Sequence, residues 1–176
     1  KPDLHVRDVV VQAAAQTGEA IEINWTLSNT GNPNWEGKLV EQIRLVNVAN
    51  PENKVVIADI VENVTVDRDG ETDRSYIWNI PLKGLVGEWI VEIETAIGSM
   101  TEHGGENTGR ALSTLTIAQC PLPELLVKSI TLDRESDEYL PMDTVKVRYM
   151  VQNIGTATAT APWQDRLYLF KNGTRI

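Results

Sequence analysis

Period-two alternation of apolar and polar side chains is the feature that most restricts what this chain can fold into. Ile21, Ile23, Trp25 and Leu27 alternate with Glu22, Asn24, Thr26 and Ser28, which places the two sets on opposite faces of a half-buried strand. The same rule reads Tyr76, Trp78 and Ile80 as one face, sets Trp89, Val91 and Ile93 against Glu88, Glu92 and Glu94, and extends more weakly over Ala111 to Ile117. Turn chemistry separates these runs, at Gly31-Asn32-Pro33-Asn34, Asn50-Pro51-Glu52-Asn53, Asp69-Gly70 and Gly104-Gly105, where Gly supplies φ > 0 or Pro presets φ. No convincing amphipathic helix lies between strands. The expected fold is all-β, an antiparallel sandwich rather than a barrel.

The chain also matches itself. Pro2-Asp3-Leu4-His5-Val6-Arg7 recurs as Pro123-Glu124-Leu125-Leu126-Val127-Lys128, 121 residues later. Ile23 to Gly31 recurs as Val147 to Gly155, and Ile43-Arg44-Leu45 answers Leu167-Tyr168-Leu169, both at a spacing of 124. The difference implies a three-residue insertion around Asp133 to Met142. A repeat of this length can hold its own core. The expected organisation is one complete copy at 1–118, a linker at 119–122 stiffened by Pro121 and followed by Pro123, and the first part of a second copy at 123–176. The second copy lacks counterparts of the Tyr76, Trp89 and final strands, so it is expected to be unstable alone, completed by residues beyond Ile176 or by a strand from another chain.

At these residues the chain resembles the cell-adhesion-related domain found in bacteria (CARDB), an immunoglobulin-like repeat. The family's Pro-Asp-Leu-x-Val opening is matched by Pro2 to Val6 and Pro123 to Val127, and its Trp-Thr-Val-x-Asn-x-Gly-like strand by Trp25 to Gly31 and Tyr149 to Gly155. Its Trp-x-Asp-x-Val-Tyr-Leu-like strand is matched by Trp163 to Leu169, whereas the first copy departs there as Leu39 to Leu45. Gly87-Glu88-Trp89-Ile90-Val91 resembles the later Gly-x-Tyr strand, and Glu106 to Arg110 the Glu-x-Asn-Asn loop. The resemblance implies a sandwich in a secreted or cell-surface protein, with no catalytic residues. The expected role is a rigid spacer or assembly unit, whose partners are further repeats, neighbouring subunits or a cell-surface glycan. The rival role is a carbohydrate- or Ca²⁺-binding accessory module of a secreted hydrolase.

Charge and side-chain inventory narrow the function classes. A net charge of −9, with 16 Lys and Arg against 25 Asp and Glu, leaves no basic stripe for nucleic acid. No run of 18 apolar residues suggests membrane insertion. Two histidines, His5 and His103, and Ser99 outside any nucleophile-elbow pattern offer no catalytic triad. No cofactor is expected, except that Asp67, Asp69 and Asp73 around Gly70 could ligate Ca²⁺. The plainer reading there is a solvated turn in which Gly70 takes the positive φ. Glu102, His103 and Glu106 read more simply as a loop than as a metal site. Of the five tryptophans, Trp25, Trp78 and Trp89 fall on apolar faces. Trp163 occupies a position used by the family pattern. Trp35, within Asn32-Pro33-Asn34-Trp35-Glu36-Gly37, is the one candidate for a stacking contact with a sugar or protein, and its removal is expected to cost little. Cys120, the single cysteine, falls in the linker.

Overall fold

The computed structural model describes residues 1–97, 107–133, 139–140 and 142–175. It divides into two units, Lys1–Cys120 and Pro121–Ile176. In the first, the strands are β1 (Leu4–Val10), β2 (Ala14–Gln16), β3 (Ala20–Asn29), β4 (Trp35–Asn47), β5 (Lys54–Val66), β6 (Glu71–Asn79), β7 (Gly87–Ile97), β8 (Thr108–Arg110) and β9 (Leu115–Ala118). They form an immunoglobulin-like sandwich of two sheets, ordered β1-β3-β6 and β2-β9-β7-β4-β5, with β8 on β7. Pairing is antiparallel throughout with one correction to the expected pattern: β2 runs parallel to β9.

Alternation accounts for the core. Ile21, Ile23, Trp25 and Leu27 are buried on β3, facing Leu39, Ile43 and Leu45 of β4 and Trp89, Val91 and Ile93 of β7 in one continuous cluster. Burying such side chains contributes about 1.5–3 kcal/mol each, so the inner faces are the main source of stability. The least anticipated element is the β4-β5 hairpin, with 13 residues in each strand. Asn47 and Asn50 turn it: the Asn50 amide donates to the Asn47 side chain at 2.9 Å, and the Asn53 amide to the Asn50 carbonyl at 2.9 Å. A register shift after Ile43 keeps both Ala58 and Val55 against the core.

Two local expectations need correction. In the Asp67–Gly70 turn, the Gly70 amide donates to the Asp67 carbonyl at 3.0 Å, but Asp69 takes the left-handed conformation at φ 54°. Aspartate tolerates that region better than most residues with a Cβ. Cys120 belongs to the first unit, its amide donating to Thr17 Oγ1 at 3.0 Å.

The second unit contains β10 (Leu125–Leu132), β11 (Val147–Asn153), β12 (Phe170–Lys171) and β13 (Thr174–Arg175). Among the described residues β10 pairs with β11 and β12 with β13. The β10-β11 register resembles that of β1-β3: Leu4 faces Asn29 as Leu125 faces Asn153, and both pairs of strands carry an irregularity, after Arg7 in β1 and after Val127 in β10.

Candidate functional site

One clasp closes the N-terminal end of each unit. Asn29 Oδ1 accepts from the amides of Asp3 at 3.1 Å and Gly31 at 3.0 Å, while its Nδ2 donates to the Pro33 carbonyl at 2.8 Å. In the second unit Asn153 Oδ1 accepts from the amides of Glu124 and Gly155, each at 3.0 Å, and its Nδ2 donates to the Ala157 carbonyl at 2.7 Å. Glycine is required at both corners by close approach. A Cβ on Gly31 would lie 2.4 Å from the Lys1 carbonyl oxygen, and one on Gly155 would lie 2.3 Å from that of Leu122. The Asn-x-Gly run is therefore a backbone lock whose side-chain amide replaces strand hydrogen bonds where the ladder ends.

The second feature is a carboxylate inside the sandwich. Glu41 takes an inward position on β4 between Leu39 and Ile43 and is 1% exposed. A buried carboxylate is stable only with charge and hydrogen-bond partners. Trp25 Nε1 donates to its Oε1 at 2.7 Å, and Arg74 donates to Oε2 from Nε at 3.0 Å and Nη2 at 2.7 Å. Arg74 faces Trp25 across the β3-β6 ladder, sits 5.9 Å from its ring centroid and reaches Glu62 of β5 at 2.9 Å. Burial works against the Arg74 charge, but hydrogen bonds and charge from Glu41 and Glu62 outweigh it and raise its pKa. The group ties β3 and β6 of one sheet to β4 and β5 of the other.

The corresponding atoms recur in the second unit in a different setting. Tyr149 stands 124 residues after Trp25, and Asp165 stands 124 after Glu41. The Tyr149 hydroxyl donates to Asp165 Oδ2 at 3.0 Å. This hydrogen bond and the Asp165 charge raise the Tyr149 pKa above 10.0, because ionising the phenol would lose the bond and set two negative charges together. Among the described residues no cation pairs with Asp165.

A third carboxylate, Glu92, points from the outer face of β7 yet is also 1% exposed. Arg44 of β4 and Arg110 of β8 each grip one of its oxygens, and Lys54 approaches at 3.5 Å. Burial pushes its carboxyl up, and the two arginines more than offset this, holding it below its ordinary 4.5.

The residues singled out from sequence are dispersed or buried. Asp69 pairs with Arg68 at 3.2 Å, and Asp73 accepts a hydrogen bond from Thr26 at 3.3 Å on the outer face of β6. Asp67 contributes its carbonyl to the turn. Among the described residues no group of three or more His, Cys, Asp or Glu is placed to hold a metal ion. Trp35 is the clearest correction. It begins β4 on the inner face, is 7% exposed and packs in the core, so it presents no ring for stacking. Its pairing with Val66 on β5 draws it inward. The shallow groove along β1, lined by Arg7, Asp8, Val10, Arg110 and Leu112, contains no aromatic side chain. Ser99, Glu102, His103 and Glu106 lie outside the described residues.

No family model and no curated protein matches the chain. Among solved structures, the crystal structure of a CARDB domain from Pyrococcus furiosus in complex with di-metal ions is similar at a TM-score of 0.50 and 12% identity, covering 66% of this chain and 89% of that one. The fold is that of a CARDB domain. A solution structure of that Pyrococcus furiosus domain aligns at a TM-score of 0.47 and 12% identity, covering 67% of this chain and 96% of that one. A Paenibacillus cycloisomaltooligosaccharide glucanotransferase aligns at 0.47 and 15% identity, over 68% of this chain and 15% of that one.

Within the CARDB-like fold, the motif residues read from sequence have physical roles. Asn29 and Gly31 make the corner clasp, and Gly87 to Val91 open β7. The Glu41–Arg74 pair was missed. A signal was present in sequence, since Glu41 falls in phase with Leu39, Ile43 and Leu45, the one charged residue on an otherwise apolar inward set.

Proposed function

We propose that this chain is a non-catalytic structural and adhesion module of a secreted or cell-surface repeat protein, acting as a rigid spacer or assembly unit in a tandem array. The observation that carries the reading is the recurrence of the Asn-x-Gly clasp at the start of both units, with the same donors and acceptors. The Glu41–Arg74 link between the sheets supports it, because such a link resists sliding of one sheet over the other. Glu41 and Glu92, the buried carboxylates, are each held by arginine within the fold. Its partners are further repeats or neighbouring subunits.

The second reading is a ligand-binding accessory module, favoured by the di-metal complex of the Pyrococcus furiosus CARDB domain. On that reading Asp67, Asp69 and Asp73 would bind Ca²⁺. Thermal unfolding with Ca²⁺, with EDTA and with neither separates the two, since a ligand that binds only the folded state raises the midpoint by mass action. The spacer reading expects coincident midpoints and no retention on a glycan array. A Ca²⁺-dependent rise removed by Asp69→Asn, or specific glycan retention, would replace it with the accessory reading.

A further inference from the structure

The shallow groove along β1 in the first unit holds two guanidiniums that the fold leaves partly unused. Arg7 is exposed, and its side chain makes no ion pair or hydrogen bond among the described residues. Arg110 is fixed at one end only. Its Nε donates to the buried Glu92, while neither Nη has a partner among the described residues and the side chain is 60% exposed. Close approach of β8 to β1 brings the two arginines into one groove. A Cβ on Gly109 would lie 2.6 Å from Val6 Cγ1 and 2.8 Å from the Val6 carbonyl oxygen, and Arg110 and Arg7 are the next residues on the two strands. In a chain of net charge −9 an arginine readily finds a carboxylate, as Arg44, Arg68 and Arg74 do. Arg7 forms no ion pair even with Asp8, which lines the same groove. Two aliphatic side chains complete the lining, Val10 at 59% exposure and Leu112 fully exposed.

We propose that this groove binds an acidic peptide, with one Asp or Glu carboxylate held by Arg7 and Arg110 and its aliphatic neighbours laid on Val10 and Leu112. Charge complementarity selects the carboxylate. A guanidinium anchored through Nε keeps its Nη edge fixed for a carboxylate, so little side-chain freedom is lost on binding. Asp8 limits the groove to a single carboxylate, because a second would meet like charge. The aliphatic lining selects a peptide over an acidic glycan. Covering Val10 and Leu112 removes apolar area from water, whereas sugar hydroxyls set against them would lose their own hydration. The inference goes beyond the spacer reading, and its test reads peptide binding and not Ca²⁺-dependent stability, so either can fail without the other.

The probe is the blocked peptide acetyl-Leu-Glu-Val-amide, titrated into the full 176-residue chain and followed by the NMR shifts of its backbone amides. The expected result is a saturable shift confined to residues 7–10 and 110–113. Affinity should fall about tenfold with the glutamine peptide acetyl-Leu-Gln-Val-amide and about tenfold with Arg7→Gln. The two changes together should cost little more than either alone, since both remove one pair. Leu112→Ser should weaken binding about fivefold through the lost apolar contact. Arg7 and Leu112 are exposed, and unchanged amide shifts away from the groove certify the fold of both variants. Four results overturn the proposal: no shift in the two stretches, equal binding of the glutamate and glutamine peptides, wild-type affinity in Arg7→Gln, or tighter binding of oligogalacturonate than of the peptide.

Discussion

Trp25 and Tyr149 occupy the same place in two copies of one strand pair, yet Trp25 is 2% exposed and Tyr149 is 44% exposed. Each donates to a carboxylate on the following segment, and each strand ends in the same Asn-x-Gly clasp. Local hydrogen bonding is therefore alike in the two units, and burial is not. The clasp and the register depend on residues near one another on adjacent strands. Burial depends on β6 and on the β7 and β9 strands of the opposing sheet, for which the second unit has no counterpart among its described residues. A strand pair of this kind specifies its own geometry without generating most of the stabilisation, which comes from apolar area removed from water.

The largest effect expected from this contrast is on the aromatic pair itself. Trp25→Ala should destabilise the first unit by about 3–5 kcal/mol, the range for truncating a large buried aromatic, whereas Tyr149→Ala should leave that unit's urea midpoint unchanged. Equal losses would break the comparison. Trp35→Ala, which sequence alone placed among the mild changes, belongs with Trp25→Ala because its ring is in the core.

Next in size is the charge link. Glu41→Gln should cost about 3 kcal/mol, the low end for breaking a buried pair, since Arg74 keeps Glu62 and some solvent. Asp165→Asn should have no measurable effect on the melting of the first unit, and it should lower the one tyrosine titration that Asp165 now raises. A tyrosine titration unmoved by Asp165→Asn would show that the second pair does not form in solution.

Gly31→Ala comes third, at about 1–3 kcal/mol, because the added methyl meets backbone that must shift. In the second unit, Gly155→Ala should appear as faster hydrogen exchange across 125–132 and 147–153 with the first unit unaltered. The wild-type chain should already show this gradient, slow across 21–27 and fast across 145–151. Equal protection of both stretches in a monomer would mean that the second unit is stable without further strands.

The smallest effect is that of pH on Glu92. Its folded-state pKa lies below 4.5, so its contribution is present above that value and is lost as pH falls through the folded pKa. The stability gap between wild type and Glu92→Gln should be widest near neutrality and should narrow below about pH 4.5. A gap independent of pH would mean that the arginines stabilise this position through packing alone.

Much of the fold was legible because period-two alternation and turn residues act locally. Ile21 to Leu27, Trp89 to Ile93 and the 121- and 124-residue spacings located strands, faces and the second strand pair before any coordinates. Trp35 was misread because a Pro- and Asn-rich run marks a turn without marking where the turn stops. Asp69 and Gly70 exchanged roles because both residue types tolerate the left-handed region.

Sequence by itself determined the alternation, the corner clasps and the match between the two units, since each is fixed by neighbouring residues or by the chemistry of Asn and Gly at a strand end. Tertiary structure alone decided that Glu41 points inward and meets Arg74, that Glu92 is buried beneath two arginines, and that Trp25 is sealed while Tyr149 is not. Those outcomes depend on which strands from distant parts of the chain cover a face, and local patterning does not encode that choice because a buried charge is stable only when its partners arrive from other strands.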